Sequence, residues 1–307
     1  MGICHASVDD VCRIIKHMKV TRATGIDGFL NGHFKSSLFN SSILISKLIN
    51  KIIDTECWPT GLKKQILRPV YKSGAKNDMN NYRPIALLPA INKIIEKYFT
   101  EKIENFLEHY KILSQHQFGF RKNIGTNSAL KDINDLITGA INEGKYVGAV
   151  LIDLQKAFDT INHAILYKKC SRVGIRGKML NIIKSYMEGR AVGTKIDHVV
   201  STLEQVRYGV PQGSTLGPLL FLIYINDIAE GTMQTKVFLY ADDIILVSIH
   251  KNYNTMIKNL QQDFNHINSW LISNELFISE KKTQFISISM PQMKPTADAD
   301  ILYSDHL

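Results

Sequence analysis

Cysteine is scarce in this chain of 307 residues: Cys4, Cys12, Cys57 and Cys170 stand apart, with no Cys-x-x-Cys pair among them. That pattern supports neither a zinc module nor a disulfide framework, and reduced thiols inside a cell are the expectation. Long apolar runs are missing as well. The longest, Leu219 to Ile225, falls far short of the ~20 residues that span a bilayer. The N-terminus lacks the apolar core of a signal peptide. An intracellular location, nucleus or cytoplasm, with no membrane partner, is therefore expected. No internal repeat or low-complexity segment occurs. Acidic residues are outnumbered, 28 against 37 basic ones, giving a net charge of +9 and a pI near 9.2. That excess suits a polyanion, nucleic acid before membrane.

What is present describes an ordinary globular protein, with 45% hydrophobic and 21% charged residues. The length allows one large domain or two packed subdomains. Apolar spacing predicts helices over Val8–Met18 (capped by Ser7), Ser41–Ile53, a long one opened by Asn92, Asn127–Asn142, Ile161–Lys169, Gly177–Met187, the apolar segment after Thr215, and Phe264–Leu271. Strands are expected at Ile66–Tyr71, Tyr146–Ile152, Val199–Tyr208, the hairpin Thr235–Ile249 and Phe285–Met290. Pro84 and Pro89 read as breakers on either side of Ile85–Leu88, and the chain from Pro291 onward as a frayed tail. The mixture is an α+β chain with an antiparallel hairpin in its second half.

The hairpin holds the chemistry. Two β-branched and aromatic runs flank Ala241-Asp242-Asp243, which puts two acids at a turn where they repel one another. A polar turn is the plain alternative, but a hard divalent cation such as Mg²⁺ would resolve the repulsion, because it takes oxygen ligands. A third carboxylate, Asp153, ends the strand Tyr146–Ile152. If that strand pairs beside the hairpin, Asp153 and Asp242 can bridge two metals roughly 4 Å apart, the arrangement that in-line nucleotidyl transfer needs. Phe158, about one helical turn further on, could lie under a sugar and exclude a 2′-hydroxyl; a core phenylalanine fits the same pattern. Gly209-Val-Pro-Gln-Gly213 lets backbone approach a flat ligand, and Gln212 offers it both a donor and an acceptor. Arg121 and Lys72 lie on basic loops, and either could clamp phosphates.

These blocks together resemble the reverse transcriptase domain of non-LTR (LINE-type) retrotransposons, especially the jockey- and CR1-like groups, over about Gly25 to Met290. Arg83-Pro-Ile-Ala-Leu-Leu-Pro89 with Lys93–Lys97 is similar to the family's fingers segment, and Gln117-Phe-Gly-Phe-Arg121 to its second block. Leu151–Asp159 resembles motif A, Gly209–Asp227 motif B, Tyr240-Ala-Asp-Asp243 motif C and Trp270–Thr283 motif D. The resemblance implies a right-hand polymerase fold: residues 1–145 mainly fingers, 146–165 palm, 166–208 a fingers–palm connection, 209–290 palm with a ferredoxin-like sheet, and 291–307 the start of a thumb that is largely absent. It implies an RNA-directed DNA polymerase adding dNTPs to a DNA primer on an RNA template, with two Mg²⁺ ions (Mn²⁺ as substitute). Asp153, Asp242 and Asp243 would be the catalytic acids and metal ligands. Phe158 would be the sugar gate, Gln212 and Gly213 the nucleotide and template contact, and Arg121 a triphosphate contact with Lys72 competing for that role. Lys282 would be the general acid for pyrophosphate, with Lys281 beside it. Family members usually carry an endonuclease domain ahead of the polymerase, and none precedes it here, so a truncated, weakly active copy is expected. The alternative is a non-catalytic nucleic-acid-binding remnant of a retroelement.

Overall fold

The computed structural model describes residues 1–20, 24–121 and 124–293, so the expected tail lies outside the described residues from position 294 on. In chain order the elements are α1 (Val8–His17), α2 (Asn31–Ser36), α3 (Leu38–Thr55), β1 (Lys64–Tyr71), β2 (Tyr82–Leu87), α4 (Ala90–His109), α5 (Thr126–Asn142) and β3 (Tyr146–Ile152). Then come α6 (His163–Arg172), α7 (Lys178–Met187), β4 (Ala191–Ile196), β5 (Val199–Val200), β6 (Glu204–Gln205), α8 (Leu216–Ile225), β7 (Lys236–Tyr240), β8 (Asp243–His250), α9 (Tyr253–Ser273) and β9 (Gln284–Ile288). The chain divides into two compact units, Met1–Ile112 with Ile161–Tyr224, and Leu113–Thr160 with Ile225–Leu307.

In the first unit, α1 begins at a reciprocal cap. The Ser7 side chain accepts from the Asp10 N–H, and the Asp10 carboxylate accepts from the Ser7 N–H. The apolar stripes of α1, α3, α4 and α7 make the core: Val11, Ile15, Ile49, Ile95 and Ile182 are buried there, each contributing roughly 1.5–3 kcal/mol by leaving water. Trp58 sits among them at 2% exposure, its ring 4.8 Å from Tyr186 and 5.5 Å from Phe99. Its indole N–H donates to Asn92 Oδ1 at 2.9 Å.

The sheet of this unit runs β2-β1-β4-β5, with β6 on β4. Pro84 does not break the chain as expected but lies inside β2, directly opposite Pro69 of β1. The reason is its position on an edge strand. The neighbouring outward N–H, that of Ala86, donates away from β1 to the Gln212 carbonyl at 3.0 Å. Pro84 has the same parity, so the donor it lacks would have pointed outward too. A second correction concerns Val199–Tyr208, which is not one strand. Two short exposed pairs, β5 and β6, replace it, and the main strand is β4, which the periodicity missed. Gly193 in its middle reads as a weak strand former, yet a Cβ there would come within 3.2 Å of the Ser201 carbonyl, so the glycine marks close backbone approach.

The second unit is built on an antiparallel sheet of order β7-β8-β3-β9. Numbered within the sheet this is 2-3-1-4, the order of a ferredoxin-like β-α-β-β-α-β unit. Residues of β3 alternate between its faces. Val147 and Ala149 pack with Phe238, Val247 and Ala140 of α5. Gly148 faces the other way, where Met256 of α9 fills the place a side chain would take. Helix α9 is much longer than the expected Phe264–Leu271. Asn252 caps it by accepting from the Thr255 N–H at 3.0 Å, and Tyr253, Met256 and Leu260 extend its buried stripe towards the N-terminus.

Candidate active site

Register decides where the acids stand. Ile152 and Ile244 are partners in the antiparallel β3–β8 pair. The next positions at that end, Asp153 and Asp243, therefore face one another and share the α5 side by alternation. Tyr240 pairs with Asp243, which leaves Ala241-Asp242 as a two-residue hairpin turn with Asp242 at its tip. Loss of solvent from part of its carboxyl raises the Asp243 pKa above the ordinary 3.8, and the charges of Asp242 and Asp153 raise it further. Asp243 as a whole is exposed, so the neighbouring charges, which the register puts beside it, are the cause we weight most.

Asp153 is held from behind by the turn before β9. Its carbonyl accepts from the Ser279 N–H at 2.7 Å, and its own N–H donates to Thr283 Oγ1 at 3.4 Å. Lys282 on that turn places Nζ 3.0 Å from Asp153 Oδ2, in a half-exposed ion pair. Among the described residues no group of three or more His, Cys, Asp or Glu is drawn together closely enough to hold a metal ion as placed. The donor chemistry nevertheless fits a hard divalent cation: carboxylate oxygens of three mutually repelling acids, one of them already contacting an ammonium. Beyond Asp153 the chain forms turns, not the helix supposed in spacing Phe158 one helical turn away. Phe158 is half-buried, and its ring meets Phe120 edge-on at 6.2 Å. Arg121 folds back on its own loop, Nη1 donating to the Ser114 carbonyl at 3.1 Å and more weakly to that of Gln117 at 3.4 Å.

Gln212, Gly213 and Lys72 belong to the first unit. Lys72 is exposed at the end of β1, its N–H donating to the Asn81 carbonyl at 2.8 Å. The Gln212 carbonyl is tied to β2 by the Ala86 bond. Gly213 has φ +95°, and a Cβ there would stand 3.0 Å from the Ala86 carbonyl oxygen. Gly213→Ala is expected to destabilise the protein by about 1–3 kcal/mol, read as a lower midpoint in urea unfolding; an unchanged midpoint would show that the loop tolerates a side chain.

A family model described as Reverse transcriptase (RNA-dependent DNA polymerase) matches residues 72–298. The chain belongs to that family. Among curated relatives, this reverse transcriptase domain is 27% identical over 284 residues to "Probable RNA-directed DNA polymerase from transposon BS" of Drosophila melanogaster, covering 90% of this chain and 31% of the relative. It is 25% identical to "RNA-directed DNA polymerase from mobile element jockey" of the same species, with coverage of 90% and 31%. The chain thus spans about a third of the length of these relatives. Among solved structures, "Structure of apo telomerase from Candida Tropicalis truncated from C-terminal domain" superposes with a TM-score of 0.53 at 14% identity, covering 82% of this chain and 56% of that one. The shared fold is that of a right-hand polymerase. No described helix is long and apolar enough to cross a membrane.

Two residues of this reverse transcriptase domain escaped the sequence reading. Glu96 of α4 is fully buried. One carboxylate oxygen accepts from Asn92 Nδ2 at 2.6 Å and the Tyr186 hydroxyl at 2.8 Å, and the other accepts from the Thr215 N–H at 2.7 Å. It therefore fixes the end of the glycine-rich loop at the start of α8. Burial, the largest influence, raises its pKa. The second residue is Gln117, 2% exposed, whose Oε1 accepts from the N–H groups of Gly119 at 2.7 Å and Ala241 at 3.1 Å. Both lie in blocks that carry the resemblance, Lys93–Lys97 and Gln117–Arg121, but nothing local in either block shows the burial or the distant partners that give these side chains their roles.

Proposed function

We propose that this chain is the polymerase part of a non-LTR retrotransposon's RNA-directed DNA polymerase, adding dNTPs to a DNA primer 3′-hydroxyl on an RNA template. The observation that carries this reading is the opposition of Asp153 and Asp243 at one end of the β3–β8 pair, with Asp242 on the adjoining turn. Reverse transcriptase domains generally use divalent metal ions. Asp153, Asp242 and Asp243 would hold two Mg²⁺, with Mn²⁺ as a substitute, and the bound ions would supply charge stabilisation at the transferring phosphoryl group. In this reading the sheet β7-β8-β3-β9 is the palm sheet, within residues 146–165 and 209–290, and residues 1–145 are mainly fingers.

The remaining roles follow from chemistry and position. Phe158 presents an apolar edge that would reject a 2′-hydroxyl. Gln212 and Gly213 offer amide and bare backbone to a nucleotide or template base. Lys72, exposed, is the freer candidate for a triphosphate contact, because Arg121 already bonds carbonyls of its own loop. Lys282 would donate a proton to leaving pyrophosphate after giving up Asp153.

The test is primer extension on an RNA template with Mg²⁺, run with dNTPs and separately with NTPs. Extension confined to dNTPs supports the reading. Template binding without any extension would favour the non-catalytic remnant. In the same assay Phe158→Ala is expected to weaken discrimination against NTPs by about 10–100-fold; unaltered discrimination would remove Phe158 as the gate.

A further inference from the structure

The turn that presents the acids is held in a conformation its own sequence disfavours. Ala241 has φ +57°, where an L-residue's Cβ crowds the backbone and glycine is the usual occupant. Such a conformation persists only where the surroundings over-determine it, and here the surroundings are the segment 116–119. The His116 carbonyl accepts from the Leu239 N–H, and the Phe118 N–H donates to the Leu239 carbonyl, both at 2.8 Å, so this segment is bridged to β7 in the parallel sense at Gln117 and Leu239. Gly119 then passes so close to the turn that a Cβ would come within 2.3 Å of the Ala241 nitrogen. At the point of contact Gln117 Oε1 takes the Ala241 N–H.

We propose that Gln117 is a positioning residue, whose buried amide oxygen locks the strained hairpin turn in the shape that presents Asp242 and Asp243. This rests on the polymerase reading for its functional consequence, though not for its structural one. The residue type follows from the charges nearby. Two N–H groups need an acceptor behind a turn that already carries repelling carboxylates. A carboxylate there would add a third negative charge with little solvent to screen it; an amide accepts without charge. Gln117 Nε2 has no hydrogen-bond partner among the described residues, so the side chain is held through its oxygen alone, as an acceptor's role requires. The shorter amide of a Gln117→Asn variant would fall one methylene short of reaching both donors.

The experiment is a double-mutant cycle between Gln117→Met, which keeps length and loses the acceptor, and Ala241→Gly, which adopts positive φ without strain. Two readouts are taken on the full chain. Amide hydrogen exchange is expected to quicken about 10-fold at the turn in Gln117→Met, with β3 unchanged. Single-turnover extension is expected to slow about 10-fold or more at saturating dNTP, with KM little altered. In the Ala241→Gly background the same substitution should cost several-fold less. An equal loss in both backgrounds, or an unchanged Ala241 amide, would overturn the proposal. Should the methionine variant fold poorly, Gln117→Asn, which keeps the amide but cannot reach both N–H groups, replaces it: faster exchange at the Ala241 amide supports the proposal and an unchanged rate refutes it. If the unaltered chain extends no primer, the polymerase reading fails while the exchange measurement still judges Gln117.

Discussion

Asp153→Asn is expected to lower the primer-extension rate by at least about 10³-fold while leaving the protein folded. Asp153 faces Asp243 across the end of the β3–β8 pair, so it supplies one of the charges that a pair of divalent ions would require. Loss of a metal-ligand charge at a phosphoryl-transfer centre removes several kcal/mol of stabilisation, and about 4 kcal/mol is about 10³ in rate. Stability should behave differently. The substitution breaks the 3.0 Å pair with Lys282, a half-exposed contact worth at most about 1 kcal/mol, and it also relieves repulsion at Asp243. The melting temperature is therefore expected to stay within about 4 °C of the unaltered protein. Extension at a tenth or more of the normal rate would dismiss Asp153 as a catalytic acid.

The largest expected loss of stability belongs to Glu96→Ala. It strands three donors: Asn92 Nδ2 and the Tyr186 hydroxyl, both buried, and the Thr215 N–H, which is partly buried. At roughly 1–3 kcal/mol for each unsatisfied group, partly relieved by entering water, a total of about 3–5 kcal/mol follows. That should lower the melting temperature by about 10 °C. Glu96→Gln, which keeps an acceptor, should lose far less. The pH dependence has a definite sign. Because the folded-state pKa lies above the ordinary 4.5, the native state binds more protons than the unfolded chain between those two values. The contribution of Glu96 to stability is thus full below pH 4.5 and declines as pH rises through the folded pKa. Urea midpoints measured across that range should show this decline in the unaltered protein and lose it in Glu96→Gln. Equal slopes in the two proteins would mean that Glu96 is not the titrating group.

What could be read without coordinates was whatever depends on short-range pattern. Tyr146–Ile152 is a continuous apolar run and appears as β3 with those bounds, and the Ser7 cap is visible as Ser-x-x-Asp. The acids at a hairpin turn follow from two β-branched runs that flank them. Strand β4 was hidden because Gly193 breaks the strand composition, and the close approach of residues 200–203 that demands it is a tertiary fact. The N-terminal half of α9 was missed because Tyr253, Met256 and Leu260 are widely spaced among polar residues. Glu96 and Gln117 were illegible for a deeper reason. A buried polar side chain is identified by the backbone groups it satisfies, Thr215 in one case and Ala241 in the other, each 119 or 124 positions away. No local window contains both partners.

The proline pair in the first sheet bears on how this protein behaves at high concentration. Along the outer side of β2, position 84 has no N–H to offer, and the N–H of Ala86 is already taken by Gln212. A stray strand from a second molecule would find that border short of donors at these two positions, which blunts a common route to aggregation. Pro84→Val, otherwise well suited to an extended strand, would reopen the border, and the first sign of the loss would be turbidity.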